Sequence, residues 1–304
     1  MDQATYIPSA RQARMVELLK QLAPTEGYTR SMLEGVLYMR ANRPVARTPA
    51  LYEPSIVLVI QGCKRGFHNG NMYVYDAQHY LVLSVPLPFN TETEASPEAP
   101  MLGLALRIDP VMTAELAMGL DEGPARAESA PVALYATRME DKLSDATLRL
   151  LEALASPAEA RLLGPSILRE ITYRVLTGEQ GGGLRAAMQQ GSSFGRIAKV
   201  LRRIHAQYAS NLDVSSLADY ANLSVPAFHA QFKAVTATSP IQYIKAMRLH
   251  EARLMMIRQG VSAASAAGQV GYESPSQFSR EFKRMFGRSP SEEARSLKEL
   301  LALS

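Results

Sequence analysis

An internal repeat in the last third of the chain constrains the fold more than any other feature. The segment SVPAFHAQFKAVTATSP (224–240) returns about fifty residues later within ESPSQFSREFKRMFGRSP (273–290). Both copies hold two phenylalanines four residues apart, then a lysine, and both end in Ser-Pro. A segment that occurs twice predicts one supersecondary unit that the chain builds twice.

Each copy predicts a helix-turn-helix unit. The two units span about 213–235 and 262–286. In the first, Ser224 is a suitable N-cap for a helix that carries Phe228 and Phe232 on one face. Two phenylalanines on one face predict a buried anchor, which leaves the opposite face of the helix free to meet a partner.

The second unit has the stronger boundary signals. Ser274 and Pro275 form an N-cap followed by proline at the first helical position, where the missing N–H costs nothing. Phe278, Phe282 and Phe286 then form its buried stripe. One such pair of helices is equally compatible with an ordinary helical hairpin, but two copies in tandem favour a pair of DNA-binding units.

A long helix is predicted to join the two units. Ser239 and Pro240 mark its start, and Gly260 marks its end. About twenty residues at about 1.5 Å each give a rod of about 30 Å, and successive major grooves on one face of DNA lie about 34–36 Å apart. The spacing therefore predicts two recognition helices in adjacent major grooves of double-stranded DNA.

The charge distribution supports the same prediction. The chain carries a formal net charge of +4, but residues 195–304 hold 15 Lys and Arg against 8 Asp and Glu, whereas residues 1–194 hold 18 against 21. A basic C-terminal third beside a mildly acidic remainder is expected when only one domain meets phosphate. Chance is the alternative explanation.

The N-terminal part of the chain predicts a small antiparallel β-barrel with flanking helices, so the fold class is α+β. Asn69-Gly70 is a strong signal for a two-residue hairpin of type I′, and several short strands within about seventy residues are typical of a barrel or sandwich. Strands are predicted over 55–61, 64–68, 71–75, 80–85 and 101–108, and helices over 11–23, 109–120, 137–155 and 163–178.

The glycine-rich segment GEQGGGL (178–184) is the best candidate for a linker, because three consecutive glycines leave a backbone that is costly to order. The predicted organisation has a sensing and dimerisation domain at 1–178, a linker at 179–193, and an all-α DNA-binding domain at 194–304. The apolar faces of the helices over 137–177 suggest a homodimer interface as a hypothesis.

Composition excludes several other classes. The single cysteine, Cys63, excludes an intrachain disulfide and a multi-cysteine zinc site. No apolar run approaches a signal peptide or a membrane span, so we expect a cytoplasmic protein with no membrane partner. His68 and His79 lack the H-x-H and following Glu of a facial metal site. No metal, cofactor or catalytic residue is predicted.

At the second repeat the chain resembles the AraC/XylS family of bacterial transcription regulators. GYESPSQFSREFKRMFGRSP (271–290) is close to the most diagnostic stretch of that family, and MRLHEARLMM (247–256) has its spacing. LYEPSIVLVIQGCKRG and LLGPSILREITYRVLTGEQGG resemble its AraC-type N-terminal domain, a cupin-like barrel. The resemblance implies a transcription activator that contacts RNA polymerase and senses a small-molecule or stress signal.

The resemblance also implies which residues face DNA bases. These are Pro226, His229 and Ala230 in the first recognition helix, and Pro275, Ser276, Ser279 and Arg280 in the second. Physically, Arg280 can donate two hydrogen bonds to guanine, and Gln231 and Gln277 are further polar candidates. A surface ion pair is the alternative for Arg280, and a merely solvated position is the alternative for Gln277 and His229.

Four further basic residues are better candidates for phosphate than for bases. They are Lys233, Lys283, Arg284 and Arg288. The tail SEEARSLKELLALS departs from the family, which usually has an aromatic-basic pair after the final proline.

Cys63 is a possible sensor, because it precedes Lys64 and Arg65 and nearby positive charge lowers the pKa of a thiol. The alternative is a small cysteine that packs as a hydrophobe.

Two other functions remain open at this point. An enzyme on the barrel has little support, because the sequence shows no nucleophile with its base, no paired acids and no phosphate loop. An interaction protein that uses its helices against protein partners is distinguished from a regulator by the salt dependence of DNA binding.

Overall fold

The computed structural model describes residues 9–120, 131–189, 191–293 and 295. The strands are β1 (Gly27–Arg30), β2 (Val36–Ala41), β3 (Val45–Tyr52), β4 (Ser55–Gln61), β5 (Cys63–His68), β6 (Asn71–Asp76), β7 (His79–Leu83), β8 (Leu87–Glu94), β9 (Met101–Arg107) and β10 (Leu134–Arg138). The helices are α1 (Ala10–Leu22), α2 (Pro110–Gly119), α3 (Asp141–Leu154), α4 (Pro157–Leu162), α5 (Gly164–Thr177), α6 (Gly182–Met188), α7 (Ser193–Gln207), α8 (Val214–Tyr220), α9 (Val225–Thr236), α10 (Pro240–Arg258), α11 (Ala263–Gln269) and α12 (Pro275–Phe286).

The ten strands form one curled antiparallel sheet, an open half-barrel. Its strand order is β1-β2-β9-β4-β7-β6-β5-β8-β3, and β10 pairs with β7. The predicted hairpin joins β5 and β6, and Asn69 and Gly70 both have positive φ, 48° and 78°, as a type I′ turn requires. The α+β class with a small antiparallel barrel is confirmed.

Strand β4 lies at the centre of the sheet and explains why its sequence is a continuous apolar run. Val57 and Val59 belong to the cluster on the concave face, whereas Ile56, Leu58 and Ile60 pack against α1, α3 and α5 on the convex face. Because both faces of this strand are covered, both sets of side chains are apolar.

Five strands were not predicted from the sequence. They are β1, β2, β3, β8 and β10. Strand β3 contains Pro49, and β8 ends in the polar run Thr91–Glu94, so neither has an obvious strand pattern. The helix predicted over 137–155 begins four residues later, because Thr137 and Arg138 pair with β7. The other predicted strands and helices are present within one or two residues of their predicted ends.

The predicted linker is not an unstructured connection. Residues 179–193 contain α6, in which Leu184 is fully buried. A Cβ on Gly183 would stand 2.2 Å from the Val132 carbonyl oxygen, so this glycine permits a close backbone approach. The glycines that suggested a costly backbone therefore allow a short helix to pack tightly. The domain limits themselves remain a prediction.

The remaining helices, α7–α12, form the helical part predicted from residue 194 onward. Phe228 and Phe232 belong to one hydrophobic cluster, and Phe278 and Phe282 belong to another, so each repeat has its own core. No helix in the described part of the chain is long and apolar enough to cross a membrane.

Candidate nucleic-acid interface

The first helix-turn-helix unit is built from α8 and α9, as predicted. The side chain of Asp213 accepts a hydrogen bond from the backbone N–H of Ser216, and that of Ser224 accepts one from Ala227, so both helices are capped. The Phe228 and Phe232 rings meet at a centroid distance of 5.4 Å and are fully buried. This packing fixes which face of α9 points outward.

The second unit, α11 and α12, repeats that construction. Ser262 and Ser274 cap its two helices. Phe278 and Phe282 are buried with their centroids 5.5 Å apart. Gly271 in its turn has φ 83°, and Asn222 at the corresponding place in the first turn has φ 54°. Both residue types tolerate the left-handed conformation that this turn requires.

The two units are joined by more than the connecting helix. Arg248 on α10 donates from Nε to the carbonyl oxygen of Tyr208 at 2.8 Å, from one terminal nitrogen to Ser210 at 2.8 Å, and from the other to Gly271 at 3.1 Å. We call this group the Arg248 clamp. It ties the loop before the first unit to the turn of the second.

Gly271 is part of the same junction. A Cβ at this position would stand 2.5 Å from the carbonyl oxygen of Ala209. The turn of the second unit therefore packs directly against the loop before the first. Sequence reasoning missed Arg248, because the carbonyls that it binds lie 23 to 40 residues away in the chain.

The outward faces of both recognition helices are open to solvent. The predicted base-contacting residues that are exposed are Pro226, Ala230, Pro275, Ser276, Gln277, Ser279 and Arg280. Arg280 has no ion pair within the described part of the chain. The guanidinium is therefore available to donate to an acceptor on another molecule.

Three of the residues predicted to contact DNA bases are less available for such contacts. His229 is half-buried and lies edge-on to Phe228. Gln231 is half-buried, and its Oε1 atom is buried with no hydrogen-bond partner among the described residues. Gln277 donates from Nε2 to Glu281 Oε1 at 3.2 Å. The first recognition helix consequently offers few polar atoms at its surface.

Glu281 organises the base of the second recognition helix. Besides Gln277, it accepts from Lys245 Nζ at 2.8 Å and from the Tyr272 hydroxyl at 2.7 Å. Burial acts to raise the pKa of this carboxyl, but the hydrogen bonds from Lys245, Tyr272 and Gln277 prevail and lower it. The ionised carboxylate therefore links α10, the turn and α12.

The predicted phosphate-contacting residues are all exposed. They are Lys233, Lys283, Arg284 and Arg288. Sequence reasoning did not single out a second basic group on α7. There, Lys199 Nζ lies 4.3 Å and the Arg203 guanidinium carbon 4.5 Å from the centroid of the Tyr220 ring.

The helical part of the chain also contacts the half-barrel. The Tyr243 hydroxyl of α10 donates to the Pro86 carbonyl oxygen at 2.8 Å, and His205 Nε2 lies 2.8 Å from the same hydroxyl. Since Tyr243 has one hydroxyl hydrogen, Nε2 of His205 is the donor in the second bond. Burial lowers the pKa of His205 to about 4, so the imidazole is neutral. A cleft of about 210 Å³ lies beside this contact.

Cys63, the predicted sensor, is followed by one buried and one ion-paired basic residue. The Lys64 side chain is buried, and Arg65 is paired with Glu92 and Glu94. Burial raises the pKa of the Cys63 thiol, Arg65 opposes this, and Glu94 adds to it. Burial therefore outweighs the effect of Arg65 on the thiol pKa, and the role of Cys63 as a sensor stays a prediction.

Comparison with known proteins places this geometry in a family. The family described as "AraC-type transcriptional regulator N-terminus" matches residues 32–183, half of the chain, and a helix-turn-helix domain family matches 217–296. Apo ToxT from Vibrio cholerae has a similar fold, with a TM-score of 0.62 and 13% identity over 90% of this chain and 100% of that one. ToxT with a bound unsaturated fatty acid gives 0.61 and 13% over 89% and 97%.

Curated relatives match about a third of the chain. The Msm operon regulatory protein of Streptococcus mutans is 33% identical over 31% of this chain and 34% of its own length. The RCS-specific activator RclR of Escherichia coli is 32% identical over 32% and 34%. The chain therefore spans about a third of the length of these relatives. Because the N-terminal family matches half of the chain, this chain belongs to the AraC-type transcriptional regulators.

Proposed function

We propose that this protein is a sequence-specific DNA-binding transcription regulator that acts by binding rather than by catalysis. The observation that carries the proposal is the pair of capped helix-turn-helix units with exposed outward faces, held together by the Arg248 clamp. The connecting helix α10 has 19 residues, which corresponds to about 28 Å. Its length suits two recognition helices in adjacent major grooves.

Within the second recognition helix, Arg280 is the best candidate for direct base readout. Its exposed guanidinium can donate to O6 and N7 of guanine. The first helix offers Pro226 and Ala230 at its surface, so it contributes chiefly apolar contacts and fit to groove shape. Lys233, Lys283, Arg284 and Arg288 supply contacts to the phosphates.

Fluorescence anisotropy of the full-length protein with duplex DNA across a salt series tests this proposal. If six phosphates are contacted, the affinity should fall by about a thousandfold between 50 and 200 mM salt. Lys283→Ala should reduce the salt slope by about one. Lys142→Ala is the control, because it removes an exposed lysine from α3, far along the chain from the helix-turn-helix units. Binding that is absent or independent of salt would contradict the proposal and favour a protein partner.

The proposed regulator senses an effector through its N-terminal domain. Support comes from the contact between the domains, where the concave face of the half-barrel and the core of the first unit form one continuous hydrophobic cluster. A ligand that changes the barrel interior is therefore positioned to alter the first unit. ToxT, which shares the fold, has been solved with an unsaturated fatty acid.

By analogy with the family, the protein activates transcription through RNA polymerase in the bacterial cytoplasm and forms a homodimer. Leu162 and Leu163 at the end of α4 and Tyr173 on α5 are exposed apolar side chains on the helices proposed for the dimer. Sedimentation of the full chain tests the dimer, and a monomer at all concentrations would contradict it. Transcription from a target promoter with purified polymerase tests activation.

A further inference from the structure

A row of polar side chains crosses the concave face of the half-barrel. Lys64 on β5 pairs directly with Tyr75 on β6 and with Thr93 on β8. Directly paired residues of antiparallel strands point to the same face of a sheet. Tyr75 belongs to the hydrophobic cluster of the concave face, so all three side chains point inward. Lys64 is only 5% exposed.

The ammonium of Lys64 is buried without an anion. Its Nζ atom donates to Thr93 Oγ1 at 2.8 Å. Across the described ranges of the chain it forms no ion pair with a carboxylate, and Glu92 and Glu94, which flank Thr93 on β8, pair with Arg65 instead. Since a buried ammonium without a counterion is costly, this site is complementary to an anion.

Tyrosine hydroxyls lie near this lysine, because Tyr75 pairs with Lys64 across the strands and the charge of Lys64 acts on Tyr28. The Tyr75 hydroxyl is fully buried, and the Tyr52 hydroxyl, which interacts with it, does not satisfy it with a hydrogen bond of good geometry. The Tyr28 and Tyr52 hydroxyls lie 3.4 Å apart and close enough to Tyr75 to raise its pKa, after the larger effect of burial. A hydroxyl can donate to a carboxylate oxygen, so a buried hydroxyl that is not well satisfied, on the residue paired with Lys64, adds to anion recognition.

A route to the site lies between the two free edges of the sheet. Strands β1 and β3 stand at opposite ends of the strand order and are not paired with each other. Tyr28 on β1 and Tyr52 on β3 meet across this gap through their hydroxyls, 3.4 Å apart. A contact between side chains is more easily opened than a ladder of backbone hydrogen bonds.

We propose that Lys64, with the Tyr75 hydroxyl, binds the carboxylate of a small organic acid that enters between Tyr28 and Tyr52. One buried cation balances the single negative charge of a carboxylate, whereas a doubly charged phosphate requires more than one positive group. The side chains beside the row are aromatic, with Tyr52 and Phe89 packed edge to face at 4.9 Å, so the acid carries an apolar body. The inference rests on the proposed sensing role of the N-terminal domain and names its ligand class.

Thermal unfolding of the full-length protein without DNA tests this site. The probes are benzoate and hexanoate, compared with benzamide, hexanamide and inorganic phosphate at equal ionic strength. At a hundredfold excess over its Kd, a carboxylate should raise the Tm by about 5 °C. The Lys64→Met variant should lose this shift. Lys142→Met, which removes an exposed lysine, should keep it.

A second variant keeps the test decisive if Lys64→Met does not fold. Tyr75→Phe removes a hydroxyl that is not satisfied by a hydrogen bond of good geometry. The fold should therefore survive, while titration calorimetry shows carboxylate affinity reduced about three- to tenfold. Equal shifts with amides, a shift with phosphate alone, no shift with either carboxylate, or a full shift in Lys64→Met would each overturn the assignment. DNA binding by the same preparations, measured separately, shows whether the proposed regulator function fails as well.

Discussion

Loss of the Arg248 clamp should weaken binding to a full operator without weakening either unit alone. Arg248 makes three charge-assisted hydrogen bonds to backbone carbonyls at 2.8, 3.1 and 2.8 Å. Such bonds contribute about 1.5–3 kcal/mol each, but the bond to Ser210 is exposed, so about 3 kcal/mol in total is a reasonable estimate. That free energy holds the second unit in register with the first.

When two binding units are rigidly placed, the second binds at a high effective concentration. In Arg248→Ala part of this advantage is lost, because the second unit must be ordered on binding. We expect the affinity for an operator selected in vitro from random duplexes to fall about 10- to 100-fold, which is about 1.4–2.8 kcal/mol. Affinity for a duplex with one half of the operator scrambled should change little.

Two further variants separate geometry from charge. Gly271→Ala leaves the charge unchanged but brings a Cβ to 2.5 Å from the Ala209 carbonyl oxygen, so it should reproduce the loss on the full operator. Arg258→Ala removes an exposed positive charge from the same helix and should bind nearly as well as the wild type. Normal affinity of Arg248→Ala for the full operator would refute the proposed role of the clamp. An equal loss of affinity for the full and the half-scrambled operator would refute it as well.

Three other predictions follow from the site and its surroundings. Arg280→Ala should cost about 1–3 kcal/mol at one base position in a substitution scan of the operator; a uniform loss over all sequences would make Arg280 a phosphate contact. His205 and His250 are held neutral because burial, with Arg253 also acting on His250, lowers their pKa values from 6.5 to about 4 and about 3. The unfolded chain therefore binds more protons below pH 6.5, and urea unfolding should show stability that is complete above that pH and about 2 kcal/mol lower per histidine at pH 5. His205→Gln, which keeps an N–H donor for Tyr243, should remove about half of that loss, and an unchanged acid sensitivity would contradict the assignment. Cys63 should react with iodoacetamide no faster than free cysteine, since burial raises its pKa, and Cys63→Ser should leave target transcription unchanged when an electrophile is added.

Local signals made most of the helical part predictable. The caps at Asp213, Ser224, Ser262 and Ser274 and the phenylalanine spacing act within one or two helical turns, so they can be read from adjacent residues. The half-barrel was predicted only in part. Strand β8 was missed because its own sequence has no strong strand pattern. It is stabilised by its pairing with both β3 and β5.

The residues of the candidate DNA-binding site were also predictable only in part. The family resemblance placed Arg280 and its neighbours on the DNA-facing side of the helix, and these residues are exposed, as contact with DNA requires. By contrast, Gln231 and Gln277 have polar side chains that the sequence marks as possible readers, and only the fold shows that one is half-buried and the other bonded to Glu281. Side-chain direction within a helix depends on what packs against it.

What the amino-acid sequence determined by itself was a pair of capped, phenylalanine-anchored helical units on a basic segment, because those features depend on residues a few positions apart. The tertiary structure decided how the units are joined, through Arg248 and Gly271, and which way the basic residues of β5 point. It turned Lys64 into a buried cation, and it buried Cys63 enough that burial outweighs the effect of Arg65 on the thiol pKa. These outcomes depend on contacts between distant parts of the chain, which only form when the whole fold is assembled.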